Sequence, residues 1–170
     1  MSLVNAFLGA IQDPNAQASP NQLGSILNTV QQLSQTTQAN PDAMQTAMGI
    51  VGKYVRSGLQ ETKNTQGAAA AQSLVNQYSG TQPNAQVVNL LLNQEQVQNL
   101  ISEVAQKTGL PAATIQGLLP SLIPLVLQFL QSGTPIDGSA NNAVLNSFLD
   151  TDGDGDVDLA DAMKMASRYL

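Results

Sequence analysis

The sequence contains no cysteine, no histidine and no tryptophan. Without cysteine there can be no disulfide, thiol nucleophile or thiolate metal site. Without histidine, the commonest general base, the usual triad partner of a serine and the commonest zinc ligand are missing. Aromatics are 4% of the 170 residues, so a core must be assembled from Leu, Ile, Val, Ala and Met. Charge is scarce as well, with twelve acidic and six basic residues. Six bases cannot neutralise many phosphates, which argues against a nucleic-acid partner. Lys53, Arg56 and Lys63 come nearest to a basic patch, with Tyr54 the only interleaved aromatic. They read as ordinary helix-surface charges. No positive n-region precedes the apolar residues of MSLVNAFLGAIQDPNAQ, so no export signal is expected. The longest apolar run, LLPSLIPLVLQFL (118–130), is too short to cross a bilayer and holds two prolines. Neither apolar stretch has flanking Lys or Arg to anchor it at an anionic surface. We therefore expect no membrane partner and a cytoplasmic protein.

What is present is helical in period. Gln and Asn make up about a fifth of the chain, so its polar faces are mainly uncharged amides. A helix is expected from about residue 20, with Ser19 as N-cap, Pro20 first and Gln22 closing a capping box. Leu23, Ile26, Leu27, Val30 and Leu33 form its stripe. A second helix starts at Asn40–Pro41 and carries Met44, Ala47, Met48, Val51, Val55 and Leu59 on one face. Residues 65–78 are Ala-rich and helix-prone, with Gly80 as a stop. Asn93 caps the next helix, striped by Val97, Leu100, Ile101, Val104 and Ala105 and ended by Gly109. A short helix is expected over 112–119. Another begins at Ser121 as N-cap, with Pro124 at the third helical position, and its apolar circumference marks a buried central element. No stretch reads as a strand, and no repeat of fixed period is found. Linkers are expected at 36–40, 79–84 and 132–140, none long enough to demand separate domains. The expected fold is all-α: a multihelical bundle over 1–139 with buried central helices. A C-terminal helix–loop–helix, 140–170, packs on it within a single domain.

The charge is distributed unevenly. Asp150, Asp152, Asp154, Asp156, Asp158 and Asp161 are six of the twelve acids; outside 150–161, six acids face six bases. The formal net charge of −6 therefore belongs to one short loop. Aligned with a twelve-residue calcium loop, Asp150, Asp152 and Asp154 take positions one, three and five. Gly155 takes the sharp turn at six, Asp156 offers its carbonyl at seven, Asp158 holds a water at nine, and Asp161 closes the loop at twelve. A divalent cation relieves the repulsion that such crowding would otherwise impose. Val144, Leu145, Phe148 and Leu149 give the entering helix an apolar face; Leu159, Met163, Ala166 and Leu170 do the same for the exiting one. The ligand set is hard oxygen, as Ca²⁺ requires, and Asp in place of Glu at the last position admits Mg²⁺ as a competitor. EF-hands usually pair through their eighth residue, here Val157. With a single loop, Val157 packs on the chain's own core or on a copy in a homodimer.

Two resemblances follow from these residues. The segment DTDGDGDVDLADAMKMASRYL resembles one repeat of a dockerin, which implies docking onto a cohesin. Dockerins carry two repeats, however, and positions ten and eleven, commonly hydroxyls there, are Leu159 and Ala160 here. The segment VQNLISEVAQKTGLPAATIQGLLPSLIPLVLQFLQSG (97–133) resembles the bacterial YidB-like family. The family's hallmark is a helix ending in a Gly-Leu turn, a short helix, and a Leu-Pro-rich buried helix. The N-terminal part is similar to cyanobacterial members. The resemblance implies an all-helical fold with buried central helices and no assigned activity.

No constellation for catalysis is assembled by the remaining acids, Asp13, Asp42, Glu61, Glu95, Glu103 and Asp137. Glu103 reads as a solvated charge. We therefore expect no enzyme. The expected function is a calcium-binding scaffold or interaction module in which Ca²⁺ is structural. The alternative is a sensor that exposes an apolar surface, methionines included, to an unknown protein partner.

Overall fold

The computed structural model of the protein describes residues 20–80 and 82–131, together with Gly9 and Gln12. These form six helices and no strand: α1 (Pro20–Thr37), α2 (Pro41–Gln66), α3 (Ala68–Tyr78), α4 (Ala85–Leu91), α5 (Gln94–Thr108) and α6 (Ala112–Gln131). The all-α expectation holds. The boundary expected at 139/140, Ser19 as a cap and the whole calcium loop lie outside the described residues.

Helix starts follow local chemistry. Proline opens both α1 and α2, where its missing N–H has no intrahelical acceptor to lose. The Asn40 side chain accepts from the Asp42 N–H at 3.0 Å, and that of Asn84 from Gln86 at 2.9 Å. At α5 the box is reciprocal: Asn93 Oδ1 accepts from Gln96 N, and Gln96 Oε1 accepts from Asn93 N. Gly109 ends α5 in the left-handed conformation, φ 74°. α1 ends without glycine, and Gln38 takes φ 55°. Two bonds clamp that turn: the Ser34 hydroxyl donates to the Ala39 carbonyl at 2.6 Å, and the Ala39 N–H donates to the Ser34 carbonyl at 3.0 Å.

Three expectations need correction. Thr65 and Gln66 belong to α2, because the chain breaks at Gly67 (φ 97°), whose N–H closes on the Lys63 carbonyl. α4 was not anticipated at all. Its seven residues, AQVVNLL, are too few to display a period. Most consequentially, 112–131 is one continuous helix with Pro120 and Pro124 inside it, and Ser121 is a buried helical residue, not a cap. A proline inside a helix strips the carbonyl four residues earlier of its donor. Pro124 does this to Pro120, and the Asn84 N–H supplies the replacement at 2.8 Å. One turn further on, the Gly80 N–H donates to the Pro124 carbonyl at 3.3 Å. Gln116, orphaned by Pro120, is exposed to water. The connector 79–84, expected as a linker, is thus the hydrogen-bonding partner of α6.

α6 packs against each of the other five helices, as does α2. The core joins Met44, Met48, Ile50, Val55 and Leu59 of α2 to Leu100 and Val104 of α5, and to Ile115, Leu119, Leu122, Ile123 and Phe129 of α6. Met44 and Met48 are fully enclosed, which makes them packing residues and not the lining of a groove. α4 ends against α2 at Gly58, where any Cβ would collide with the Leu91 carbonyl oxygen. By length and composition α6 could cross a membrane, but 67% of its apolar window is buried inside the fold.

Candidate functional site

Asp150, Asp152, Asp154, Asp156, Asp158 and Asp161, with both flanking apolar faces, lie outside the described residues. Among the described residues no three Asp or Glu side chains stand close enough to hold a metal ion. Two polar features of α2 remain, and neither was foreseen.

The first is a junction between α2 and α5. Lys53 Nζ donates to Glu103 Oε1 at 3.2 Å, and Tyr54 Oη donates to Glu103 Oε2 at 3.0 Å. Lys107 Nζ stands 3.9 Å from Oε1, one helical turn along α5. Glu103 is therefore not a solvated charge: its side chain is 23% exposed and engaged on both oxygens. Burial alone would push its carboxyl up. Hydrogen bonds from Tyr54 and Lys53, with the charges of Lys53 and Lys107, outweigh this and bring it below 4.5. A carboxylate so stabilised is a weak general base. The junction ties helices together. Its partners are 49 and 50 residues apart in sequence, and no local pattern announces such a pairing.

The second is Arg56. It is 5% exposed, and its Nη1 is sealed from solvent with no hydrogen-bond partner. The expectation of a surface charge is overturned here. Lys53, of the same supposed patch, is bound to Glu103, so the three cations do not act together as a phosphate-binding surface.

Two grooves among the described residues carry little charge. One of about 450 Å³ lies between α4, α5 and α6, with Val88, Val97, Gln116 and Pro120 on its walls. Another of about 310 Å³ runs over Gly58, Thr62, Asn89 and Gln96, with Glu61 as its one charge. Amide and aliphatic walls of this kind can hold a chain segment but offer no acid–base pair. No protein-family model, no curated protein and no solved structure matches this chain.

Proposed function

We propose that this is a non-enzymatic calcium-binding helical protein, in which a structural Ca²⁺ completes a C-terminal helix–loop–helix beside a bundle that serves as a scaffold or interaction module. One observation carries the reading: 150–161 places carboxylates at loop positions one, three, five, seven, nine and twelve, with Gly155 at six. The bundle supports it by what it offers. Residues 20–131 carry four acids and four bases, and Glu103 is committed to joining helices. Asp150, Asp152, Asp154 and Asp161 ligate through side chains, Asp156 through its carbonyl and Asp158 through water. A YidB-like affiliation is proposed for 97–133 on its sequence, with the Gly109-Leu110 turn and the Leu-Pro-rich stretch. The short and long helices of that pattern run together here as α6.

Calorimetric titration of chelator-stripped protein with Ca²⁺, in millimolar Mg²⁺, tests the reading against an Asp150→Ala control. The expected result is one site that Asp150→Ala abolishes, with a raised melting temperature and no new dye-accessible apolar surface. New apolar surface at micromolar Ca²⁺ would replace the structural ion with a sensor. Sedimentation of the loaded protein as a monomer would exclude a homodimer contact through Val157. Absence of binding would refute the proposal.

A further inference from the structure

The groove of about 310 Å³ between α2 and the end of α4 is rich in hydrogen-bond acceptors. Its α2 wall carries Gly58, Glu61, Thr62 and Thr65, spaced as one helical face. Thr62 Oγ1 donates to the Gly58 carbonyl at 3.0 Å, and Thr65 Oγ1 to that of Glu61 at 2.8 Å. Both hydroxyl hydrogens are thus used, which leaves the two oxygens as acceptors. The other wall is the C-terminal end of α4. The Leu92 N–H closes on the Val88 carbonyl, and the chain is then extended at Leu92 (φ −127°, ψ 134°) and Asn93 (φ −78°, ψ 170°). The carbonyls of Asn89, Leu90 and Leu91 therefore have no donor within their helix. That of Leu91 lies against Gly58. The backbone brings no donors to match. The Asn93 N–H is taken by Gln96 Oε1 and the Gln96 N–H by Asn93 Oδ1, and the α2 and α4 lining residues use theirs inside their helices. The donors that remain are side-chain amides, which are neutral.

Glu61 is the one charge here, and it is exposed. The ion pairs among the described residues belong to Glu103, so none of them occupies Glu61. Beside it stands Leu90, 55% exposed and the one large hydrophobic exposed among the described residues. Acceptors gathered around a single carboxylate suit a cation that brings its own hydrogens. A bare metal ion is a poor fit, because Ca²⁺ takes about six to eight oxygens, several of them from carboxylates. An ammonium or guanidinium supplies several donors on an aliphatic stem, which packs on apolar surface while the head stays with its acceptors. A free polyamine would bring further charges that nothing here meets, and nothing to cover Leu90. We infer that this groove receives a lysine or arginine side chain of a partner polypeptide, its head between Glu61 and the free α4 carbonyls and an aliphatic neighbour on Leu90. The inference rests on the proposed reading of the bundle as an interaction module and gives that module a partner chemistry.

The test is an amide-resolved NMR titration of the full chain, in saturating Ca²⁺ and physiological salt, with the peptide acetyl-Ala-Leu-Lys-Ala-amide. Shifts are expected within 58–66 and 89–96, and the same peptide with Gln for Lys should leave those amides unmoved. Glu61→Gln should weaken binding about fivefold and Leu90→Ala about threefold. Neither should change the melting temperature, because both side chains are exposed. Shifts confined to 150–161, or equal binding of the Lys and Gln peptides, would overturn the inference. So would unaltered affinity in Glu61→Gln. Putrescine binding as tightly as the peptide, or unaltered affinity in Leu90→Ala, would give the groove to a free amine and overturn the polypeptide. No residue of 150–161 enters the proposal. Asp150→Ala should therefore bind the peptide as wild type does, and a failure of calcium binding would leave this result standing.

Discussion

α6 and α2 are the long helices of the bundle, 20 and 26 residues, and they are buried under different conditions. α6 carries no charge, and its apolar side chains need nothing but contact. What it must still satisfy is backbone, because Pro124 leaves a carbonyl free, and the chain meets that need with the Asn84 N–H. α2 has an intact backbone ladder and buries glycines and a cation instead. Two other helices meet it at close range: a bare carbonyl from α4 at Gly58 and a carboxylate from α5 at Lys53 and Tyr54. In a fold with little charge, the half-buried Glu103 acts as a connection between two helices.

The largest effect should come from filling the close approach on α2. Gly58→Ala gains helix propensity of about 1 kcal/mol but drives a methyl into the Leu91 carbonyl. We expect a net loss of about 2 kcal/mol, a fall of about 4–8 °C in melting temperature; an unchanged melting curve would mean that α4 does not rest there. Next is the α2–α5 tie. Glu103→Gln should cost about 1 kcal/mol at neutral pH. Because the Glu103 carboxyl lies below 4.5 in the fold, its contribution is present above 4.5 and is lost as pH falls through the folded value. The gap between wild type and Glu103→Gln should therefore be constant near neutrality and shrink below pH 4.5 in acid melts; a constant gap would assign Glu103 to packing. The smallest effect is the most diagnostic for α6. In an isolated helix interior, Pro→Ala is worth about 3 kcal/mol. Pro124→Ala should gain less than about 1 kcal/mol by chemical denaturation, because the returned N–H competes with Asn84 for one carbonyl. A full 3 kcal/mol would show that the connector bond contributes nothing.

α5 was legible because its signals agree. Asn93 and Gly109 mark its ends, and Leu100 and Val104 repeat on one face with Val97, Ile101 and Ala105 packed beside them. α6 was only partly legible. A helix apolar on all sides has no phase to read, and a proline marks an end only if no other element supplies the lost donor. That donor lies 36 residues upstream, in a segment that reads as a linker. Arg56 misled for a related reason: it stands about 100° from Val55 on the wheel, off the apolar stripe, and sequence does not show how much of α2 is enclosed. The proposed calcium loop is the reverse case: its reading rests on the sequence alone, with its aspartates beyond the described residues.

The two amides that meet α6 also bear on how such a helix knows where to stop. Leucines and isoleucines are nearly interchangeable as contacts, so an apolar rod could slide by a turn, about 5.4 Å, and still be buried. Gly80 and Asn84 are four residues apart, as are the carbonyls of Pro120 and Pro124 that they bind. A slip that moved Asn84 onto the Pro124 carbonyl would leave that of Pro120 unmet, and the opposite slip would draw the exposed Gln116 under the connector. The prolines thus act as graduations on an otherwise unmarked rod, and the connector is the pointer that reads them.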